Sequence, residues 1–523
     1  MIKEKIKLYL PKNVNVEYHN NLAIFEVSPA QIENIVEELH NQKKLSLKLV
    51  TATDERKENG VFKIWYLFGV PGDNFFICPF IELKNTFEFP SLANLVPEIL
   101  NYERKIQTFF GLKAQGILDN RAIILHENYP SEAFPLRQDF DWKTKLKESS
   151  GKYEFQKVKG EGIYEIPVGP IHAGIIEPGH FRFSMAGESI VQLEPRLGYA
   201  HKGSEKLFEI LSLENKVRLS EKISGDSSFS HSLTFCQTIE KLAEINVPKR
   251  ALYLRTIFAE LERLSNHLGD IGAIMMDTGF SFGGAHGSRL REIIMQINEK
   301  LTGSRFLRQV NTIGGIKKDL SNDNKEYLKN RLNEINKDFE EVIAVAENSA
   351  SLLNRLKGTG VISSEIASNY SVVGVAGRAV GIERDIRIDF PYAAYAELSM
   401  GSIPVEQDGD VNARFQIRIR EIRKSIEIIQ ESLQKLPEGA ICMVDNSIQL
   451  KKNALSVSIV EGWRGEIVYF VATDSQGEIS RVLPRDPSFI NWPVLGEAAL
   501  NNIVPDFPLI NKSFNLSYTG NDL

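Results

Sequence analysis

Residues 257–282 read IFAELERLSNHLGDIGAIMMDTGFSF, and this stretch decides the fold. Its apolar side chains recur at helical spacing along the whole segment, which predicts one long helix. A helix that crosses a lipid bilayer does not carry this many charges. The five charged residues within it are Glu260, Glu262, Arg263, Asp270 and Asp277. We therefore predict a buried helix in the core of a large soluble domain.

Helical spacing also predicts the elements around this stretch. The predicted long helices cover residues 249–276, 288–301, 325–356 and 409–436. Alternating apolar segments predict strands on either side of them, at residues 162–169, 180–187, 189–194, 454–461 and 466–473. The last two strands are separated by Gly462-Trp463-Arg464-Gly465, which is typical of a hairpin loop.

The first 150 residues predict a smaller unit of mixed structure. Strand-like segments at residues 22–27, 45–51 and 62–68 accompany helical patterns at residues 29–42 and 92–110. Residues 141–160 are polar and are the best linker candidate. The prediction is an α+β chain with a small α+β domain at residues 1–150. A large, mainly helical domain with peripheral antiparallel strands follows at residues 151–523.

Composition excludes several classes of function. The net charge of −6 offers no basic surplus for nucleic acid. The three cysteines, Cys78, Cys236 and Cys442, form no CxxC pair, so a disulfide framework is excluded. They also cannot supply a four-thiolate metal or iron–sulfur site. The chain has neither a P-loop nor a dinucleotide-binding glycine pattern.

Three polar stretches are candidates for chemistry, and each has a structural alternative. Residues 169–182 place Glu177 and His180 among turn-forming Pro and Gly, where a solvated hairpin is an equal alternative. In residues 221–231, Ser227 and His231 are four apart and share a helix face, although a serine helix cap is the simpler explanation. Residues 485–492 follow a strand, and Ser488 there fits a helix start.

The long helix itself offers a fourth candidate. Glu260, Arg263, His267 and Asp277 are polar residues on a helix that is otherwise apolar. Mutual ion pairing accounts for such residues in many helical proteins. A buried string of charges can also carry protons. The sequence leaves both alternatives open.

Taken in order, these stretches resemble the large subunit of group 4 [NiFe]-hydrogenases of the formate hydrogenlyase type, and the related quinone-site subunit of respiratory complex I. The resemblance rests on Gly169-Pro170-Ile171-His172, on Glu177 to Arg182 and on the segments at residues 198–206, 260–268 and 374–387. The first unit resembles the small complex I subunit that docks beside it, through residues 109–112, 118–121 and 135–137. Fusion of the two units is typical of the formate hydrogenlyase type.

The departure from the hydrogenase pattern concerns the metal ligands. Hydrogenases of this family hold nickel and iron through the patterns R-x-C-G-x-C-x-x-x-H and D-P-C-x-x-C. Here the four cysteine positions are occupied by Ser224, Ser227, Ser488 and Asn491. Hydroxyls and amides are weak ligands for nickel compared with thiolates. We therefore predict no metal centre, no hydrogen chemistry and retention of residues 492–523, which family hydrogenases lose on maturation.

The resemblance also implies a cavity for an electron acceptor. In complex I a tyrosine meets the quinone head, and the matching position here is Gly225. Asp277 matches an acidic residue of the family. By this resemblance Ser224, Ser227, Ser488 and Asn491 face the acceptor. Four further residues are expected to take up protons: Glu177, His180, His231 and Asp277.

The resemblance implies partners as well. The expected partners are an iron–sulfur small subunit, which holds a [4Fe-4S] cluster beside the cavity, and antiporter-like membrane subunits. The chain itself is expected to hold no cofactor, with quinone as a candidate acceptor. It would lie on the cytoplasmic face of the cell membrane through these partners. Two alternatives are a structural docking subunit without a redox substrate and a hydrogenase with substituted ligands.

Overall fold

The computed structural model of the protein describes residues 6–11, 14–173, 176–443 and 448–523. It is a mixed α+β structure, in which a sheet-rich N-terminal part precedes a mainly helical part with small antiparallel sheets. This confirms the predicted fold class. None of the described helices is both long enough and apolar enough to span a bilayer.

The N-terminal part is built on a five-stranded sheet of order β1-β2-β5-β4-β3. Its strands are β1 Glu17–His19, β2 Leu22–Glu26, β3 Ser46–Glu55, β4 Val61–Val70 and β5 Phe75–Lys84. The pair β2 and β5 is parallel, and the other pairs are antiparallel. Two short parallel strands, β6 Glu88–Pro90 and β7 Lys113–Gln115, follow this sheet in sequence.

Among the described residues of this part, two helices match predicted helical segments, and both are shorter than the sequence patterns predict. Helix α1 covers Ile32–Glu37 and continues as a π-helical turn at Glu38–Gln42. Helix α2 covers Ile99–Phe110 and packs on β3. It begins two residues after Pro97, because proline is accommodated at a helix start and breaks a helix interior. It ends at Gly111, whose φ of 68° favours glycine.

In the described residues of the second part there are three small antiparallel sheets. One has the order β10-β9-β8, from β8 Ile163–Val168, β9 His180–Ala186 and β10 Ser189–Arg196. Another joins β13 Leu455–Gly462, β14 Gly465–Thr473 and β15 Ile479–Arg485 in sequence order. The third is the ribbon β11 Asn311–Thr312 and β12 Gly315–Ile316. The hairpin predicted at residues 462–465 joins β13 to β14.

The helices of the second part are numbered in chain order. They are α3 Ser204–Ile210, α4 Leu213–Ser220, α5 Ser228–Leu242, α6 Lys249–Asp277, α7 Ser281–Thr302, α8 Asn322–Glu347, α9 Ala350–Leu356, α10 Ser364–Asn369, α11 Gly374–Arg378, α12 Ile386–Asp389, α13 Val411–Lys435, α14 Pro487–Ala499, α15 Phe507–Phe514 and α16 Tyr518–Asp522. Single 3₁₀ turns occur at Tyr395–Glu397 and Val504–Asp506.

Helix α6 is the centre of the helical part. It packs against α7 and α13, and its side chains are buried on all faces over most of its length. Gly272 of α6 and Gly287 of α7 allow the two backbones to approach closely. A Cβ on Gly287 would lie 2.5 Å from Gly272 Cα. A larger residue at position 287 would therefore push the two helices apart.

Buried ion pairs connect the N-terminal sheet to the helical part. Glu466 of β14 accepts from Lys48 of β3 at 2.6 Å and also pairs with Arg485. Glu205 of α3 pairs with Lys105 of α2 at 2.5 Å. Burial alone would raise the pKa of Glu466, but the charges of Lys48 and Arg485 lower it to about 2. These charges leave water together, so each depends on its partner across the junction.

Candidate functional site

The turn before α5 and the hairpin between β13 and β14 meet at the candidate site. Arg464 donates to Asp226 with both terminal nitrogens, Nη1 to Oδ1 and Nη2 to Oδ2, each at 2.7 Å. The same Nη1 lies 3.3 Å from Ser224 Oγ and 3.4 Å from Ser227 Oγ. A guanidinium thus connects Ser224 and Ser227, the two serines predicted to face an acceptor from this turn.

The Asp226 carboxylate is held in its charged form. Burial alone would raise its pKa, but the charge of Arg464 and the hydrogen bonds from Arg464 and Ser224 lower it overall. Ser224 Oγ donates to Asp226 Oδ1 at 2.8 Å. Sequence reasoning missed both Asp226 and Arg464. Arg464 lies 238 positions away from Asp226 in the sequence, so no local pattern indicates the pair.

The segment that follows α15 joins the two serine positions to each other. Ser517 Oγ lies 2.9 Å from Ser224 Oγ, and the Ser517 backbone N donates to Ser488 Oγ at 2.9 Å. Ser517 also caps α16, because its Oγ accepts from Gly520 N. Trp492 Nε1 donates to the Ser517 carbonyl at 3.1 Å. Residues 515–523 are therefore part of the site.

Asn491, the fourth residue predicted to face the acceptor, is bonded elsewhere. Asn491 lies on α14, three residues after Ser488, and it is buried. Its Oδ1 accepts from Val373 N and its Nδ2 donates to the Val373 carbonyl, both at 3.1 Å. The amide therefore brackets the backbone before α11. Ser224, Ser227 and Ser488 share one hydrogen-bond network through Arg464 and Ser517, and Asn491 is outside it.

His231 lies under this network and has no access to solvent. Its Nε2 is 3.0 Å from Asp486 Oδ2, and its Nδ1 is 3.1 Å from the Tyr469 hydroxyl oxygen. Asp486 also accepts from Ser488 N at 2.8 Å. Burial works against ionisation of Asp486, but the contact with His231 lowers its pKa overall. This places His231 in a position to support Ser488 through Asp486.

A cavity of about 620 Å³ opens beside the serines. Ser224, Asp226, Arg464 and Ser517 line its inner end. Glu177 lies at its edge, where its Oε2 accepts from Thr519 N at 3.0 Å. Of the four residues predicted to take up protons, Glu177 is the one that lines this cavity.

His180 and Asp277 are outside the cavity lining. His180 begins β9 and is buried, with its ring 5.2 Å from that of Phe155. Burial lowers its pKa, and its Nε2 has no hydrogen-bond partner among the described residues. Asp277 is the last residue of α6 and is exposed, although the surrounding protein desolvates the carboxyl enough to raise its pKa.

The outer part of the cavity is positively charged. Arg291 of α7, Arg308 and Lys512 of α15 line it, and no carboxylate of the described residues forms an ion pair with any of them. The acidic residues Asp226 and Asp270 are already paired, with Arg464 and Arg418. Glu177 also lines the cavity without an ion-pair partner among the described residues, so three cations face one such carboxylate. The excess charge is therefore positive, which favours negative charge on an occupant.

Comparison with known proteins relates this geometry to a family. Residues 25–146 match the family described as the respiratory-chain NADH dehydrogenase 30 kDa subunit, and residues 277–458 match its 49 kDa subunit. Formate hydrogenlyase subunit 5 of Escherichia coli is 32% identical over 94% of this chain and 87% of its own length. The chain belongs to the complex I 49 kDa and hydrogenase large-subunit family.

Other relatives in this family are similar over different parts of the chain. An NADH-quinone oxidoreductase subunit of Chloroherpeton thalassium is 33% identical over 66% of this chain and 84% of its own length. An NADH-quinone oxidoreductase subunit of Bacteroides fragilis is 28% identical over 86% of this chain and 90% of its own length. The family consists of subunits, so this member is a component of a larger assembly.

This family member contains a further buried carboxyl next to the site. Glu262 of α6 accepts from Phe229 N at 2.6 Å and from Ser230 N at 3.0 Å, at the start of α5. It also accepts from the Ser230 hydroxyl at 2.5 Å. Burial raises the pKa of Glu262 to about 7, although these hydrogen bonds oppose the shift. Sequence reasoning counted Glu262 as a charge on the long helix and gave it no role.

The polar residues of α6 form a buried ionic network in this family member. Arg263 Nε donates to Glu260 at 3.2 Å, and His267 Nε2 lies 2.8 Å from Glu421. Burial alone would raise the pKa of Glu421, but Arg378 and His267 hold it well below its usual range. Mutual ion pairing, one of the two alternatives for this helix, is therefore present. Asp277 is not part of the network.

Among the described residues, no three His, Cys, Asp or Glu side chains are grouped as metal ligands. Cys78 and Cys236 are buried, and Cys442 is partly buried. Burial raises the pKa of each of these thiols. None of the three lines the cavity beside Ser224.

Proposed function

We propose that this chain is the metal-free, hydrogenase-like large subunit of a membrane-associated, complex I-like oxidoreductase. Its cavity would receive an electron acceptor beside a [4Fe-4S] cluster held by a partner subunit. The single observation that carries the proposal is the Arg464 guanidinium, which is within hydrogen-bond distance of both Ser224 and Ser227. In the hydrogenase pattern both positions are metal-binding cysteines.

The donor set does not fit a nickel–iron centre. Nickel in such a centre requires anionic, soft thiolate ligands, and serine hydroxyls are neutral and hard. Ser224 and Ser488 are already hydrogen bonded within the chain, and Asn491 is bonded to the Val373 backbone. Arg464 Nη1 also lies within hydrogen-bond distance of Ser224 Oγ and Ser227 Oγ, so these oxygens already face a donor of the chain. This member of the family would therefore not act as a hydrogenase.

The cavity suits an acceptor that gains negative charge on reduction. Arg291, Arg308 and Lys512 line it without an ion-pair partner among the described residues. Positive groups that are fixed before the reaction stabilise charge that develops during it. Quinone is the candidate acceptor, because relatives of this chain are named NADH-quinone oxidoreductase subunits. Protons for the reduced acceptor would pass through Glu177, at the edge of the cavity.

The remaining proton-transfer residues are proposed with less direct roles. His231 would act through Asp486, whose other carboxylate oxygen accepts from Ser488 N. His180 and Asp277 would belong to a path outside the cavity lining. Carboxylates and imidazoles suit such a path because both groups can bind and release a proton.

The proposed organisation follows the family. Residues 1–150 would form the docking domain and residues 151–523 the large-subunit domain. Partners would be an iron–sulfur small subunit and antiporter-like membrane subunits, with electron transfer coupled to proton or ion movement. The chain would then lie on the cytoplasmic side of the cell membrane, held there by these partners.

The test uses the purified assembly that contains this chain. Elemental analysis should find no stoichiometric nickel, and a quinone analogue should bind and compete with the acceptor. Glu177→Gln should lower the rate of acceptor reduction, whereas Glu165→Gln, on β8 away from the cavity, should not. Stoichiometric nickel, or hydrogen production that depends on this chain, would refute the proposal.

A structural docking subunit is the second candidate. The observation in its favour is that Ser224, Ser488 and Asn491 are satisfied by groups of the chain itself. Such a subunit would hold its partners in place and reduce nothing. It predicts that the assembly binds no quinone analogue in this cavity and that Glu177→Gln leaves every electron-transfer rate unchanged.

A further inference from the structure

A second cavity, of about 230 Å³, lies between the N-terminal part and the helical part of the chain. One wall is the start of α2 with the segment around Ile123, and another is the end of β10. The face of α14 with Ile490 and Trp492 forms a third wall. Trp492 also donates to Ser517, so this cavity and the serine network adjoin the same side chain.

The lining of this second cavity is mostly apolar and contains several aromatic rings. The aromatic residues are Tyr153, Tyr370, Phe489 and Trp492, and the aliphatic ones include Leu100, Ile123 and Ile490. Drug-sized ligands occupy cavities of roughly 300 to 1,000 Å³, so this smaller space fits a molecule with a single ring. Aromatic walls favour a flat occupant, because rings pack well in offset or edge contacts.

Two buried polar atoms in this lining have no hydrogen-bond partner among the described residues. They are Glu98 Oε1 and Arg196 Nε. Glu98 is 8% exposed and Arg196 is 5% exposed. The other Arg196 nitrogens are used, since Nη1 donates to the Ala122 carbonyl and Nη2 donates to Glu127. Unpaired polar atoms at this depth are rare in folded proteins, and they commonly indicate a missing partner.

Water alone accounts poorly for the cavity. A volume of 230 Å³ corresponds to about eight water molecules, and each buried water needs two to four polar partners. Several charged groups of the lining are already bonded to one another, since Arg121 pairs with Glu194 and Arg104 Nε donates to the Arg121 carbonyl, so few of them are free to hold water. A ligand that offers polar atoms at its ends and an apolar ring between them would satisfy both Glu98 and Arg196.

The charge balance of the lining selects a neutral ligand. Each arginine there has its own carboxylate: Arg121 pairs with Glu194, and Arg196 with Glu127, both at 2.6 Å. Arg104 lies 3.4 Å from Asp119. Burial raises the pKa of Glu98 to about 7, so this carboxyl is mostly protonated in mildly acidic solution. Among the described residues of the lining, no uncompensated charge remains to attract an ion.

We infer that the second cavity binds a neutral, single-ring aromatic molecule that presents an acceptor to Arg196 Nε and a hydroxyl to Glu98 Oε1. This site is separate from the cavity of the proposed function and does not depend on it. The ligand would lie against the indole ring of Trp492. Its binding would therefore change the fluorescence of Trp492.

The test is calorimetric titration of the full chain with three related probes at about pH 6, where a benzoate is ionised and a phenol is neutral. We expect saturable one-to-one binding of 4-hydroxyacetophenone. Acetophenone, which lacks the hydroxyl, should bind about tenfold more weakly. The anionic 4-hydroxybenzoate should not bind measurably. Absence of saturable binding, or equal binding of the three probes, would overturn the inference.

Two variants locate the site. Glu98→Leu removes the unpaired carboxyl, and Ile123→Phe fills the space, so each should weaken 4-hydroxyacetophenone binding by about tenfold or more. Glu132→Gln changes an exposed acid in the same part of the chain and is the matched control. Binding that survives both variants would also overturn the inference, and the probe series on the unaltered chain decides the matter if either variant misfolds.

Discussion

Arg464 holds Asp226 through two parallel hydrogen bonds of 2.7 Å, between the two serines that replace metal-binding cysteines of the hydrogenase pattern. Arg464 is buried, whereas Asp226 is partly open to the cavity. Arg464 can therefore stabilise the fold while the Asp226 carboxylate remains accessible to a molecule bound in the cavity. It also fixes the turn that carries Ser224 and Ser227 against the hairpin between β13 and β14.

Replacement of Arg464 should destabilise the protein. Arg464→Ala leaves Asp226 without its partner, and we expect a loss of about 2–3 kcal/mol in the free energy of unfolding. Arg464→Lys should recover only part of it, because an ammonium group cannot donate in two parallel bonds. The measurement is chemical denaturation. Arg305→Ala breaks a more exposed pair with Glu292 and, as a control, should cost much less than Arg464→Ala, because solvent screens exposed ion pairs.

Loss of the Ser517 hydroxyl should loosen residues 515–523. Ser517→Ala removes the contact with Ser224 Oγ and the cap on Gly520 N, at a cost of about 1–2 kcal/mol. Amide hydrogen exchange in this variant should accelerate more in α16 than in α6. Ser475→Ala, at an exposed turn, should leave both helices unchanged. Equal exchange in α16 of the two variants would show that Ser517 does not anchor this segment.

The junction between the two parts of the chain should weaken in acid. Because the pKa of Glu466 is lowered from 4.5 to about 2, its ionised form stabilises the fold above pH 4.5. This contribution should fall as the pH drops from about 4.5 to 2, by roughly 2–4 kcal/mol in total. Glu466→Gln should be less stable at neutral pH and should lack this dependence. Unfolding curves measured across that range test it, and parallel pH profiles would contradict it.

Glu262 should produce the opposite pH dependence. Its folded pKa of about 7 exceeds the ordinary value of 4.5, so the unfolded chain releases this proton first as the pH rises. The stability contributed by Glu262 should therefore decline between pH 4.5 and 7 and stay constant above that range. Glu262→Gln should lack this decline. If the stability difference between the two proteins were independent of pH from 4.5 to 8, the buried carboxyl would not be the titrating group.

The fold class and the approximate place of the site could be predicted from the sequence for identifiable reasons. Residues 257–282 are sufficient to specify α6, because a buried helix needs apolar side chains at every turn and this stretch repeats them at helical spacing throughout. The sequence indicates Ser224 and Ser488 as site residues because they lie in turns that resemble motifs of the family. Both serines enter one network in the structure, joined by Ser517.

Other features of the site depend on contacts between distant residues. Arg464 lies in the hairpin between β13 and β14, which the sequence predicts only as a loop. Its partner, Asp226, lies in the turn before α5. His180 is the first residue of β9, and strand alternation together with the neighbouring Phe155 determines which way its ring points. Asn491 lies one helical turn from Ser488, but its side-chain amide is hydrogen bonded to the Val373 backbone and not to the serine network. A single sequence does not reveal such partners.

The buried links of Lys48 to Glu466 and of Lys105 to Glu205 have a consequence for handling the protein. Between the two parts runs an irregular polar tether at residues 143–150, largely exposed and open to a protease. A cut there would break the covalent chain. The two fragments should nevertheless stay associated, because separating them would break the buried ion pairs Lys48–Glu466 and Lys105–Glu205. The fragments should co-purify as a nicked pair, so an intact mass on a sizing column would not prove an intact polypeptide.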